Sequence, residues 1–442
     1  MKQKYQSVNV KLDAIIGGGQ AIGTTESGKK IMVWGGLPGE TVVAKPTKSK
    51  KNFSEGVVEQ ILVASPERIE PRDPDSYLST SPWQIMDFDF EQQLKANLIN
   101  EAFELHGIKL PNEISVKTDG AEWRYRNKVE FSWYSQADPV TGEDGLDLAF
   151  FRRGSKGKIT LDDSHLLPTV IVDLARKIRD MLRNKSVSAR QLKTLIIRCD
   201  QSGNAVWQLY VKDMDFDALS ADDLESTGAQ GAEVIYSEPR SPASRITKRL
   251  LDYGQIYLID KILDVPFRYA TESFFQVNIP MYEIALQDMS RWIDPAKQTL
   301  DLYAGVGSIG LTIGGDKCQL VEINEHAVRE MRENITRLDK NATAILAPSE
   351  TALEYITPDK TIVVDPPRAG LHSDVTNRLL ETLPQRIIYL SCNPVTQARD
   401  VSLLAEKYDI IEHVGYNFFP ITPHIEHLVV LELAQQAKNI VN

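Results

Sequence analysis

The stretch "DLYAGVGSIG" (residues 301–310) completes the apolar run "QTLDLY" and fits G-x-G-x-x-G with Gly305, Gly307 and Gly310. Glu322 closes the next apolar run, "CQLVEI" (318–323). In a doubly wound sheet, such a glycine turn lets the backbone approach a nucleotide, and the acid at the second strand end accepts ribose hydroxyls. The motif alone does not separate NAD, FAD and S-adenosylmethionine, and purely structural glycine turns match it as well. Two features favour the methyl donor. Asp301 stands immediately before the loop, where a carboxylate meets a cationic group, and the downstream motifs are ones no dehydrogenase needs.

Those motifs are "VVDPPRAG" (363–370) and "LSCNPVT" (390–396), each leaving an apolar run that reads as a strand. "EHAVREMRENITRL" (325–338) reads as a helix between strands, and "HIEHLVVLELA" (424–434) as a last strand at the edge. Val-, Ile- and Leu-rich strands alternating with helices predict an open parallel sheet over 255–442. Ligands of such sheets bind outside the carboxyl ends of the strands, so Glu322, Asp365 and Cys392 are expected at one crevice. A buried cysteine is most often a small core residue. At this edge, on an Asn-Pro turn, Cys392 reads instead as a nucleophile.

Upstream the pattern differs. Residues 1–65 alternate apolar and polar positions between closely spaced glycine turns, which predicts a small β-barrel with "KPTKSKKNF" (45–53) projecting from it. "ASPERIEPRDPDS" (64–76) reads as a linker, and "DFEQQLKANLINEAFELHG" (89–107) as a helix that packs on the C-terminal domain. Residues 66–254 predict an α+β domain, with "SADDLESTGAQGAE" (220–233) a polar, loop-like interruption.

Composition excludes several classes. No run approaches a membrane span, the amino terminus lacks a signal peptide's apolar stretch, and the cysteines (Cys199, Cys318, Cys392) are odd in number and scattered. A cytoplasmic protein with reduced thiols and no disulfide framework is expected. The net charge of −11 argues against a globally basic nucleic-acid binder. Residues 1–60 nevertheless carry nine lysines against five carboxylates. A basic amino-terminal module on an acidic chain is compatible with a local phosphate-binding surface, or with a solvated lysine face.

Methylation of a pyrimidine at C5 accounts for the thiol. C5 of uracil is a poor nucleophile; addition of a thiolate to C6 makes it an enolate that attacks a methyl donor, and a base then removes the C5 proton. "FFPITPHIEHL" (418–428) supplies Glu426 and His424; Glu426 is the better base, although the segment seen alone reads as carrying an exposed surface glutamate.

In order and spacing, "SFFQVN", "DLYAGVGSIGL", "DPPRAGL", "SCNPVT" and "FFPITPHIEHL" resemble the catalytic domain of the 5-methyluridine RNA methyltransferases. "WRYRNKVEF" and "FFRRGS" resemble that family's central domain, and "GGGQAIG" with "LPGETV" its oligonucleotide-binding TRAM barrel. The resemblance implies a Rossmann-like class I methyltransferase domain, S-adenosylmethionine as donor, and transfer or ribosomal RNA as substrate, the barrel leaning towards ribosomal RNA. It implies Cys392 as nucleophile and Glu426 as base. Gln276, Tyr303, Ser308, Glu322 and Asp365 would bind the donor, with Tyr303 packing on it. Arg124, Arg126, Arg152 and Arg153 would hold phosphate, close the site or serve the fold. A monomer without an obligate protein partner is expected.

Two departures qualify the resemblance. Many members hold an iron–sulfur cluster on four cysteines. Here "DPDSYLSTSPWQIMDFDFEQQLK" (73–95) has Thr80 and Trp83 at cysteine places, and "DDSHLLP" (162–168) has none, so no cluster and no other metal is expected. Asn417 stands where the family often has an aspartate. The competing functions are a 5-methylcytosine RNA methyltransferase, which commonly pairs two cysteines where "DPPR" offers none, a dinucleotide oxidoreductase, and a non-catalytic RNA-binding or folding factor on a methyltransferase scaffold.

Overall fold

Alternating burial closes the first five strands into a barrel, in the order Val8–Ile15, Ala21–Thr25, Lys30–Trp34, Phe53–Val63 and Thr41–Ser49. Leu12, Ile31, Val33, Val42 and Ala44 fill it, each fully buried. The computed structural model describes residues 5–135, 145–241 and 244–435. Its contacts divide the chain into two units, Met1–Phe88 with Ala121–Leu258, and Asp89–Gly120 with Ile259–Asn442. The charged stretch read as a linker is tied down at the barrel. Buried Glu40 accepts hydrogen bonds from the Arg68 guanidinium at 2.5 and 2.8 Å, and Arg68 also reaches the Gly35 carbonyl at 2.9 Å.

The first unit also holds a seven-stranded sheet, ordered Lys248–Gly254, Gly231–Tyr236, Ala205–Val211, Leu192–Cys199, Lys128–Tyr134, Asp147–Phe151 and Lys158–Thr160. Helix Thr169–Asn184 buries Ile171, Leu174, Ala175, Ile178 and Leu182 at helical spacing. The segment 220–233 is more ordered than its polarity predicts. Ser220 and Asp223 form a reciprocal capping box that starts helix Ala221–Ser226, and Gly231 begins a strand.

Trp83 is buried, and its indole N–H donates to the Gly19 carbonyl at 3.1 Å. Nearby, Asp73 bonds the His165 ring at 2.6 Å and the Gln84 amide at 3.0 Å, and that amide also donates to Ser81 at 2.6 Å. A tryptophan and a polar network thus tie together the segments at which the resemblance would put cysteines.

The second unit is built on an eight-stranded sheet ordered Ala342–Leu346, Cys318–Glu322, Gln298–Leu302, Lys360–Val364, Arg386–Ser391, Glu426–Leu433, Tyr408–Tyr416 and Val116–Lys117. The first five are parallel to one another, and Glu426–Leu433 runs antiparallel to both its neighbours. The expectation of an edge position for "HIEHLVVLELA" is therefore wrong. Its strand is interior because its residues are buried on both faces, whereas an edge strand keeps one side open. Helix Phe88–Glu104 belongs to this unit from Asp89 on and buries Leu94, Leu98, Ile99, Ala102 and Phe103. Among the described residues no helix is long and apolar enough to cross a membrane.

Candidate active site

Strand register decides what meets at the sheet's end. Leu302 stands beside Val321 and Val364, and Val364 beside Tyr389. Tyr303, Glu322 and Asp365 each follow one of these residues, so they leave neighbouring strands at one edge. Ser391 faces His427 across an antiparallel pair, and one step further out on the two strands lie Cys392 and Glu426. Two residues separated by 33 others in sequence thereby share one strand end.

The glycine loop is shaped for close approach. Gly305 has φ +58°, and a side chain placed there would meet nothing within 4 Å, so the loop's outer side is open. Its N–H donates to Glu322 at 2.9 Å, and the other Glu322 oxygen accepts from Asn324 N–H at 2.7 Å. Each carboxylate oxygen keeps a lone pair for a ribose hydroxyl. Gly310 serves the opposite need, since a Cβ there would lie 2.3 Å from Leu320 and 2.7 Å from the Cys318 sulfur. Asp301, fully buried, accepts Gly310 N–H at 2.9 Å, and burial pushes it up to about 8. Its carboxyl thus braces the loop from beneath.

The other expected donor residues have defined places. Ser308 shares a 2.8 Å hydrogen bond with the buried Tyr282 hydroxyl, and Gln276 is 7% exposed. Tyr303 adopts φ +65° at the start of the glycine loop, and burial pushes its phenol above the ordinary range.

Around the thiol the electrostatics are unusual. Burial, then the charges of Glu426 and Asp365, push Cys392 up to about 12, and Arg368 opposes them. Asp365 rises to about 7 through burial. Glu426, 4% exposed, rises well above the carboxylate range through burial and Asp365, again against Arg368. The sequence alone assigns Arg368 no role. Its carbonyl accepts Asn393 Nδ2 at 2.8 Å and the Thr396 hydroxyl at 3.1 Å, and its guanidinium lies 3.0 Å from His424 Nδ1. One arginine therefore links the DPPR turn, the cysteine turn and the Glu426 segment. The signal that could have found it is the single cation carried by the motif that also supplies Asp365.

The arginines of the central domain behave differently. Arg124, at φ +59°, donates to the Leu167 and Ser164 carbonyls at 2.7 and 3.1 Å. Arg153 lies 4.0 Å over the Trp34 ring and donates to the Leu78 carbonyl at 2.7 Å. Both are occupied within the fold.

The profile of the tRNA (Uracil-5-)-methyltransferase family matches residues 352–434, which include the DPPR turn, Cys392 and Glu426. An uncharacterized RNA methyltransferase of Enterococcus faecalis is 30% identical, over 90% of this chain and 91% of its own. The chain belongs to the uracil-C5 RNA methyltransferase family. A second relative, an uncharacterized RNA methyltransferase of Lactobacillus johnsonii, is 29% identical over 98% of this chain and 100% of its own. Among solved structures, Pyrococcus abyssi tRNA (uracil-54, C5)-methyltransferase, in complex with S-adenosyl-L-homocysteine, superposes with a TM-score of 0.78 at 21% identity. That match covers 96% of this chain and 100% of the other, so the folds agree from end to end. The open face of Gly305 and the braced Glu322 carboxylate beside it leave room for a nucleoside at this strand edge.

Proposed function

We propose that the enzyme methylates C5 of uridine in structured RNA through a covalent bond between the Cys392 sulfur and C6. The reading rests on one observation, the antiparallel register that sets Cys392 and Glu426 at a shared strand end beside Arg368 and Asp365. S-adenosylmethionine supplies an electrophilic methyl group at the crevice. Cys392 releases its thiol proton to solvent and its sulfur bonds to C6, and the C5–C6 π electrons move to C5 and O4 as an enolate. C5 then bonds to the methyl carbon as the methyl–sulfonium bond breaks, its electrons staying on the donor sulfur as a neutral thioether, and C5 carries the new methyl beside its original proton. Glu426 accepts that proton, the C6–S bond breaks with its electrons returning to sulfur, and the C5–C6 double bond re-forms.

The environment suits these roles. A carboxylate whose proton affinity burial has raised is a stronger base than a solvated one. Arg368 opposes the upward shift of both groups and is placed among the DPPR, cysteine and base segments, where an enolate also needs a cation. Incubation with 5-fluorouridine-substituted RNA and donor tests the reading. Fluorine at C5 cannot leave as a proton, so a denaturation-stable protein–RNA complex dependent on Cys392 is expected. Its absence would remove the covalent mechanism and favour a binding or folding factor.

Transfer RNA and ribosomal RNA are both within the proposed substrate class. The Pyrococcus structure that this chain matches end to end is of a tRNA methyltransferase, so a barrel-bearing chain of this fold is not specific to ribosomal RNA. Mass mapping of 5-methyluridine in RNA from cells with and without the gene assigns the target.

A further inference from the structure

Between strands Tyr408–Tyr416 and Glu426–Leu433 the chain makes a nine-residue excursion that ends on Glu426. It is held by charged groups with no exposure at all. Glu91 and Lys95, both on helix Phe88–Glu104, form a 2.8 Å ion pair with each side chain fully buried. Asn417 bridges them, taking a hydrogen bond from Lys95 at 2.6 Å and giving one to Glu91 at 2.9 Å. Lys95 also donates to the Phe419 carbonyl at 3.1 Å. Both Glu91 oxygens accept the Ile421 N–H, at 3.1 and 2.8 Å.

Ile421 is where this matters. It has φ +56°, a left-handed conformation that a β-branched residue adopts only when its surroundings impose it. The grip of Glu91 on its N–H imposes it here, five residues before Glu426. A buried ion pair is a poor way to gain stability, because a packed apolar group of the same volume commonly does as well. Its distinctive property is geometric, since every donor and acceptor has one place to go.

We propose that Glu91, Lys95 and Asn417 are positioning residues that hold the strained 417–421 turn so that Glu426 meets the C5 proton. The inference rests on the function proposed above and adds residues on a helix that none of the catalytic motifs includes. It also gives Asn417 a specific task. An amide both accepts from Lys95 and donates to Glu91, whereas an aspartate would set two carboxylates against one ammonium.

The test is an exchange across that pair, in the full chain. The probes are total transfer and ribosomal RNA from cells lacking the gene, with methyl-labelled donor. Glu91→Gln and Asn417→Asp should each lower turnover roughly 10- to 100-fold, the scale of a small misplacement of a reacting group. Each should accumulate methyl-labelled protein–RNA adduct while donor affinity stays within about twofold. The double variant Glu91→Gln/Asn417→Asp restores one ammonium, one carboxylate and one amide, and should recover turnover to within about threefold. Asn417→Ala leaves the Glu91–Lys95 pair whole and replaces any single variant that fails to bind donor. Glu426→Gln is the control for the underlying mechanism. Accumulation in the control with near-normal turnover in the clamp variants would overturn the positioning role alone, as would parallel loss of adduct and turnover, or an unrescued double. A control that releases product normally would overturn the mechanism and this inference with it.

Discussion

Burial and two nearby carboxylates hold the Cys392 thiol in its protonated form. With its thiol pushed up to about 12, the thiolate fraction below that value grows tenfold with each pH unit. Adduct formation should therefore climb with pH by up to roughly tenfold per unit from about pH 7 to 9, and Arg368→Ala should displace the profile to higher pH. A level profile measured by quench-flow would mean that RNA binding, not pH, sets the ionisation. In the proposed mechanism Cys392 and Glu426 act at different steps, so their variants should fail differently. Cys392→Ala forms no adduct, whereas Glu426→Gln stalls with the new methyl already on the bound RNA, visible on denaturing gels as a slow band bearing both RNA and methyl labels. Normal release by Glu426→Gln would assign the base elsewhere. For the donor, Glu322→Ala should lose about 1–3 kcal/mol of affinity by calorimetry, as expected for hydrogen bonds to a charged acceptor. Unchanged affinity in a folded variant would remove Glu322 from the ribose.

Elements built from a strand, a glycine turn and a helix were legible in the sequence because each link leaves a local mark. "DLYAGVGSIG" folds as a strand, an open turn and helix Ser308–Ile313, and its last glycine is fixed by contact with the neighbouring strand. Gly310→Ala should accordingly cost about 1–3 kcal/mol by overpacking against Leu320 and Cys318. Chemical denaturation showing an unchanged midpoint would contradict that packing. What the sequence withheld was pairing between distant strands. The run "HLVVLEL" announces burial but not which neighbours provide it, and the mixed pattern of "YDIIEHVGY" hid the strand beside it. Hence the chemistry suggested Glu426 as a partner for Cys392 and the resemblance supported it, but their pairing across two strands was not legible, nor was the clamp of Glu91 and Lys95. On a helix, two charges four residues apart usually describe a solvated face. The same ambiguity left Arg124 and Arg153 open between phosphate and fold, since their many donors satisfy buried carbonyls as readily as phosphates.

For the whole molecule, an excess of 11 negative charges must coexist with an RNA partner, so the placement of cations counts for more than their number. On the barrel, Lys45 pairs with Glu59 at 2.7 Å and Lys48 with Glu55 at 3.3 Å, while Lys50 lies over the Phe53 ring at 5.0 Å. Two of the four lysines in "KPTKSKK" thus face carboxylates already. Neutralising all four should reduce the salt dependence of RNA binding by about two units of slope rather than four, with donor binding unaltered. Most of that change should come from Lys50 and Lys51. A slope unaffected by the quadruple variant would make the strip a solvated face.

The clamp also imposes a schedule on synthesis. Lys95 meets Asn417 across 322 residues of chain. At the usual ~5–20 residues per second of translation, helix Phe88–Glu104 waits roughly 15–65 s for the segment that completes the hydrogen bonds of its inward charges. Until then Glu91 and Lys95 have only each other and water. The barrel and central sheet can finish first, since most of their strands pair with neighbours close in sequence. The catalytic sheet cannot, because its second half must reach back for a helix and a strand made before the central sheet began. A ribosome stalled before residue 417 would display a folded amino-terminal unit and an unclosed helix, which is the form a chaperone would meet.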